Sequence, residues 1–424
     1  MKQTIFVALL TLCSVLSASA QHDGQLIRDN DTIKYSYTPL AATVNDTIAA
    51  TIVSATADSL IVDSAAAEKR GSIFRRLIRY FEQANEDRTQ EKKFDVTWVL
   101  GPSYSAVTKV SLGILASGLY RIDRTDTITQ PSNVSLYANI STSGYYKVGV
   151  TGLNLMDQNR HRIRYDVSFA SMPIDYWGVG YDMAQGEKSS MVEKRYRIDA
   201  EYQYEMVRNF FACAALDFTH AAAKKVKTPE YLLGQRDKYT ATGLGLALQY
   251  DSRDFAPNPY RGIYLNLRET YFPAALGSTE TIWRTTFTGN FYQRLWKGCT
   301  LAFDAYMEYN TGKEVPWSMV AQLGGGYRMR GYYLGQYRDN GMIEVQAEFR
   351  QKIYNRHGIA VWVGAGNVFP SFDRFQWRQT LPNYGIGLRW ELKKGINARI
   401  DYGFGGVVNG RLINGLVMSI NEAF

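Results

Sequence analysis

The chain has 424 residues, with 48 Lys and Arg against 40 Asp and Glu, for a formal net charge of +8. A hydrophobic fraction of 46% beside 21% charged residues excludes wholesale disorder, and three cysteines exclude a disulfide-stapled scaffold. Thirty tyrosines and 36 glycines against 11 prolines lean toward antiparallel β-structure with many aromatic girdle positions.

Residues 1–20 read as a secretory signal. Lys2 gives the positive start, 5–16 an apolar stretch, and Ala18-Ser19-Ala20 a small-residue cleavage site. That stretch is shorter than the ~20 residues a spanning helix needs. No later segment offers the run of roughly 18 apolar residues that a membrane helix requires, so only strands are left to cross a bilayer.

Residues 21–70 are rich in Asp, Thr, Ser and Ala and read as a disordered leader, because they cannot bury enough apolar area to offset chain entropy. Asp31-Thr32-Ile33, Asp46-Thr47-Ile48, Asp58-Ser59-Leu60 and Asp63-Ser64-Ala65 repeat one triplet. It resembles acceptor sites of a bacterial periplasmic O-glycosylation system; an Asp/Thr-rich composition also produces it by chance. Residues 71–93 read as a short amphipathic helix or linker, with Ile73, Phe74, Leu77, Ile78 and Phe81 on one face.

From Phe94 onward the period becomes two. Trp283, Phe287, Phe291 and Leu295 oppose Arg284, Thr286, Thr288, Asn290 and Arg294. Ile343, Val345, Ala347 and Phe349 oppose Glu344, Gln346, Glu348 and Arg350, and Ala398, Ile400, Tyr402 and Phe404 oppose Asn397, Arg399 and Asp401. Sixteen strands fit, from 94–104 to 415–424, an even number as outer-membrane barrels require. Long loops at 171–193, 221–238, 311–340, 369–382 and 405–414 tend to alternate with short turns at 206–208, 354–356 and 392–394. The fold expected is all-β: a 16-stranded antiparallel transmembrane β-barrel over 94–424, behind a disordered leader and a short helix.

Leu323-Gly324-Gly325-Gly326-Tyr327-Arg328-Met329-Arg330-Gly331-Tyr332 lies in the longest of these loops. It resembles the sixth-loop motif of the BamA/TamA family, also called the bacterial surface antigen family. Tyr250-Asp251-Ser252-Arg253-Asp254, followed by Pro259 and Gly262, resembles that family's hairpin between strands eight and nine. Ile386-Gly387-Leu388-Arg389-Trp390 and Arg399-Ile400-Asp401-Tyr402-Gly403 resemble its last strands. Leu416, Met418, Ile420 and Phe424 are read as one face ending in an aromatic, similar to its assembly signal, with Glu422 interrupting the apolar series.

The resemblance implies that the long loop folds into the lumen and that its arginine, Arg330, meets Glu348 on strand twelve. A guanidinium inside a barrel needs a carboxylate or water. The family's second carboxylate is missing, because its aromatic-x-Asp stands here as Trp362-Val363-Gly364; Asp401 shares the luminal face. The leader composition does not encode a POTRA domain, the periplasmic module of such relatives. The function implied is assembly, insertion or translocation of proteins at the outer membrane, with client outer-membrane proteins and assembly partners. The alternative is a non-insertase channel, scaffold or surface antigen of the same fold.

Other chemistries find no support. His22, His161, His220 and His357 lack metal-ligand spacing, Cys213 and Cys299 fall on different strands, and Gly324–Gly326 lacks the Lys-Ser/Thr of a phosphate loop. No metal, cofactor or catalytic constellation is expected, and the chain does not read as an enzyme. The basic balance is spread along the sequence, pointing to lipopolysaccharide phosphates or the lumen and away from nucleic acid.

Overall fold

The computed structural model describes residues 93–123, 125–126, 128–393, 396–408 and 410–424. The expected signal segment, leader and helix lie outside these residues, residue 93 excepted.

Sixteen antiparallel strands close into one barrel. The first eight are β1 (Asp95–Ser105), β2 (Lys109–Tyr120), β3 (Ser132–Ser141), β4 (Tyr146–Met156), β5 (His161–Tyr176), β6 (Ser189–Val207), β7 (Phe210–Lys224) and β8 (Lys238–Asp251). The second eight are β9 (Gly262–Phe272), β10 (Ile282–Trp296), β11 (Cys299–Gly312), β12 (Gly341–Tyr354), β13 (His357–Phe369), β14 (Leu381–Lys393), β15 (Ile396–Val408) and β16 (Arg411–Ile420). Each pairs with the next in sequence, and a two-residue ribbon, Ala321–Gln322 against Arg338–Asp339, sits within the loop between β11 and β12.

Strand alternation sorts the side chains as the period requires. On β12, Glu344, Gln346, Glu348 and Arg350 are buried inside the barrel, while Val345 is exposed on the outer face. Leu100, Leu112, Ile114, Leu246, Leu248, Val363, Ile386 and Leu388 are exposed in the same way around the circumference. A soluble protein does not leave so continuous an apolar wall to water; here it faces lipid. Exposed aromatics mark both rims: Trp98, Trp296 and Tyr354 at the end with the two-residue turns, Trp283 and Tyr384 at the end with the long loops. No helix among the described residues is long and apolar enough to cross a membrane. Cys213 and Cys299 are free and buried.

The loop expected at 171–193 shortens to 177–188, since β5 runs on to Tyr176 and β6 begins at Ser189, and two further differences bear on the site. Residues 405–414 are not a long loop: β15 runs to Val408 and β16 begins at Arg411. Gly405 and Gly406 look like loop residues in the sequence, but here glycine makes room. A Cβ on Gly405 would lie 2.4 Å from the Tyr332 ring, which packs flat against the strand. The second difference is that β16 stops at Ile420, so Phe424 does not share the outer face with Leu416, Met418 and Ile420. Asn421 takes a left-handed backbone (φ 67°) and turns the chain into the lumen. The cause is Glu422. Continuing the pairing of Tyr104 with Met418 would set Glu422 opposite the outward-facing Leu100, against hydrocarbon, where a carboxylate is costly.

Closure is uneven. β1 pairs with β2 from Asp95 opposite Leu119 to Ser105 opposite Lys109. On its other side β1 meets β16 at one paired position, Tyr104 opposite Met418.

Candidate functional site: a loop tucked into the lumen

The loop 313–340 returns into the barrel and ends against the walls of β11 to β16. Backbone geometry lets it in. Gly331 has φ +107°, which L side chains rarely adopt, and Gly403 lies so close that a Cβ there would meet the Arg330 carbonyl oxygen at 2.0 Å. Gly325, also at positive φ, bridges to Arg330 across the tip. The Tyr332 hydroxyl then spans two strands, accepting from the Gly406 N–H at 2.6 Å and donating to the Pro382 carbonyl at 2.8 Å. Leu323, Met329, Tyr332 and Tyr337 pack with Met342, Val368 and Leu381, so an apolar cluster holds the loop stem.

At the centre the Arg330 guanidinium is fully buried. It donates to Glu348 Oε2 at 2.5 Å, to Asp401 Oδ2 at 2.8 Å and to Gln346 Oε1 at 3.3 Å. Its Cζ lies 3.5 Å from the Trp362 ring centroid, a cation–π contact in a buried site. Asn383 links the two: it accepts from Trp362 Nε1 at 2.9 Å and donates to the Arg330 carbonyl at 2.6 Å.

Arg328 forms a second fork, donating to both oxygens of Asp304 at 2.6 and 2.8 Å, with its Cζ 4.5 Å from the Tyr306 ring. Gln346 stands between the two arginines, donating to Asp304 at 2.9 Å while accepting from Arg330.

The carboxylates are held in turn by wall arginines. Glu348 Oε1 accepts from Arg350 at 2.7 Å; Asp401 accepts from Arg389 at 2.5 Å and from Arg399 at 2.7 Å. Glu422 accepts from Arg389 at 2.7 Å. The five cations Arg328, Arg330, Arg350, Arg389 and Arg399 thus meet the four carboxylates of Asp304, Glu348, Asp401 and Glu422. Buried charges persist when paired and hydrogen-bonded in this way.

The absent strand-thirteen carboxylate therefore has a structural counterpart: Asp401, from β15, takes the second side of the guanidinium. Gly364 lies opposite Gln346, and a Cβ there would meet the Val345 carbonyl oxygen at 2.7 Å. Sequence reasoning did not single out Asp304, Gln346, Arg350, Trp362, Asn383, Arg389 or Arg399 as partners. The alternation did place Gln346, Arg350 and Arg399 on the inner face; Asp304, Trp362, Asn383 and Arg389 carried no such mark.

The other motifs fall elsewhere. The hairpin between β8 and β9 is built on Asp251, whose two oxygens hold Arg253 at 2.9 and 2.8 Å. Asp254 accepts the backbone N–H groups of Phe255, Tyr260 and Arg261, Pro259 is buried, and Gly262 sits at φ +115°. This hairpin does not touch Arg330; its Pro257 carbonyl receives the N–H of Glu422 at 3.5 Å. At the loop root, burial pushes the Asp339 carboxyl up to about 6.

Between the loop and the remaining wall lies a cavity of about 720 Å³. Arg197, Asp199, Arg268 and Arg284 line one side; Ser105 and Thr108, beside the end of β1, and Val417 and Ser419 of β16 line the other. The cavity thus runs alongside the weakly closed seam.

The Omp85 superfamily domain matches residues 131–424. The chain belongs to the Omp85 superfamily. Among solved structures this Omp85 barrel is similar to BamA from Haemophilus ducreyi lacking POTRA domains 1-3, with TM-score 0.55 and 14% identity over 77% of this chain and 70% of that one. It is also similar to CdiB from Escherichia coli (TM-score 0.53, 12% identity, 77% of this chain and 62% of that one). CdiB from Acinetobacter baumannii gives TM-score 0.50 and 10% identity over 78% and 60%. The chain spans less than two thirds of either CdiB chain, and at these identities the likeness is one of fold. No match was found among curated proteins.

Proposed function

We propose that this Omp85 barrel works in the outer membrane by assembling, inserting or translocating other proteins, with its seam as the working element. The observation that supports this is the closure of β1 on β16 at one paired position, where every other neighbouring pair runs in register for most of a strand. In hydrocarbon each unpaired backbone group costs several kcal/mol, roughly as much as any other buried orphan. Parting an ordinary pair exposes many such groups; parting this one exposes few. The freed edges of β1 and β16 are then a template on which an incoming strand can add by β-augmentation. The tucked loop braces the adjoining wall while the seam parts. The substrates on this reading are unfolded outer-membrane proteins, and the surrounding phase is outer-membrane lipid and lipopolysaccharide.

The test is a Tyr104→Cys/Met418→Cys pair, which joins the two strands at their one paired position. Oxidised, the barrel should lose its effect on the levels of other outer-membrane proteins, and reductant should restore it. A locked barrel that works normally would leave the channel or scaffold reading standing in its place.

A further inference from the structure

Residues 421–424 leave β16 and enter the lumen, where they reach the arginines that serve the loop. Arg389 donates through Nη1 to Asp401 at 2.5 Å and through Nε to Glu422 at 2.7 Å. Arg350 donates through Nε to Glu348 at 2.7 Å and through Nη2 to the Phe424 main-chain oxygen at 2.9 Å. The Phe424 ring lies 4.9 Å from the Arg350 Cζ, and Asn397 donates to the second oxygen of Glu422 at 2.7 Å. The two carboxylates bound by Arg330 are thus bound, on their other side, by the two arginines that hold this short segment.

From this sharing we infer that segment 421–424 and the loop 313–340 are coupled, each strengthening the other's hold in the lumen through Arg350 and Arg389. Withdrawing Glu422 takes a carboxylate from Arg389, which then turns more fully to Asp401 and Glu348, in competition with Arg330. Withdrawing Arg330 takes a cation from Glu348 and Asp401, which then draw Arg350 and Arg389 away from the segment. In a low-dielectric interior such a lost partner is felt over several ångströms, and the coupling is reciprocal by linkage.

The functional consequence, which rests on the seam reading above, follows from where the segment is attached. It continues directly from β16, so a strand pairing with that edge can draw 421–424 back into line with the sheet. The pull on the seam would then loosen the loop inside the lumen. The coupling itself is measured without any assembly activity, so its failure and the failure of the seam reading are separate results.

The experiment uses the full chain in bilayer nanodiscs with two readouts. Trypsin cleavage after Arg328 or Arg330 reports departure of the loop, since both are held inside. Amide exchange at Asn421, whose N–H bonds to the Asn397 carbonyl at 2.7 Å, reports departure of the segment. Glu422→Ala, and Glu422→Gln in case the first folds poorly, should raise loop cleavage about 10-fold, within the usual range of coupling between sites. Arg330→Ala should raise Asn421 exchange by a similar factor. Ser135→Ala, remote from both, should change neither. Unchanged loop cleavage in folded Glu422 variants, or unchanged Asn421 exchange in Arg330→Ala, would overturn the coupling.

Discussion

The walls of β1 to β4 and of β12 to β15 belong to one barrel and use opposite chemistry. Inside the first, small hydroxyls meet one another: Ser103 Oγ lies 2.6 Å from Ser111 Oγ, and Ser135 donates to Ser117 at 2.9 Å. Inside the second, Glu348, Arg350, Arg389, Arg399 and Asp401 are almost fully buried and knit to a loop from above. A neutral hydroxyl pair contributes little and is cheaply rearranged; a buried charge pair penalises any motion that parts it. The difference separates a braced wall from a compliant one, and the seam lies at the compliant wall's edge.

Removing the centre of the braced wall should have the largest effect. Arg330→Ala leaves the buried Glu348 and Asp401 short of a cation, and should weaken loop docking by about 3–5 kcal/mol. Cleavage of the loop by trypsin and loss of heat-resistant gel mobility would show it. Arg330→Lys should recover only part, since an ammonium cannot face two carboxylates and stack on Trp362 as the planar fork does.

Asp339 offers a gentler probe of the same wall. Its folded-state value is raised from 3.8 to about 6, so the protonated form is favoured in the docked loop. Its contribution is fully present below about pH 4 and is lost as pH rises through 6, a change of roughly 3 kcal/mol. Asp339→Asn should therefore stabilise the docked loop relative to the parent at pH 8 and not at pH 4, as read from loop cleavage rates. The smallest effect belongs to the compliant wall. Ser103→Ala should cost about 1 kcal/mol or less by thermal unfolding in detergent.

Much of the barrel was legible because a membrane strand must alternate. Glu344, Gln346, Glu348 and Arg350 could only face inward once Val345 and Phe349 faced lipid. Arg330 was legible as a luminal cation only through the family resemblance of its loop; a charge so carried into a barrel needs a carboxylate within reach. What escaped depended on contacts between distant strands. Gly405 and Gly406 look like a loop until Tyr332 is laid against them, and Gly364 looks like the loss of an acid until Asp401 takes the second side of the guanidinium. Glu422 read as a flaw in an apolar series. The cost of a carboxylate against hydrocarbon, with Arg389 two strands away and Asn397 to receive it, makes an inward turn at Asn421 the cheaper path.

The contrast between the two walls is tested most directly by backbone amide exchange of the intact barrel in nanodiscs, strand by strand. Amides of β1 facing β16 should exchange orders of magnitude faster than those shared by β12 and β13. Equal protection on both sides of the barrel would contradict it.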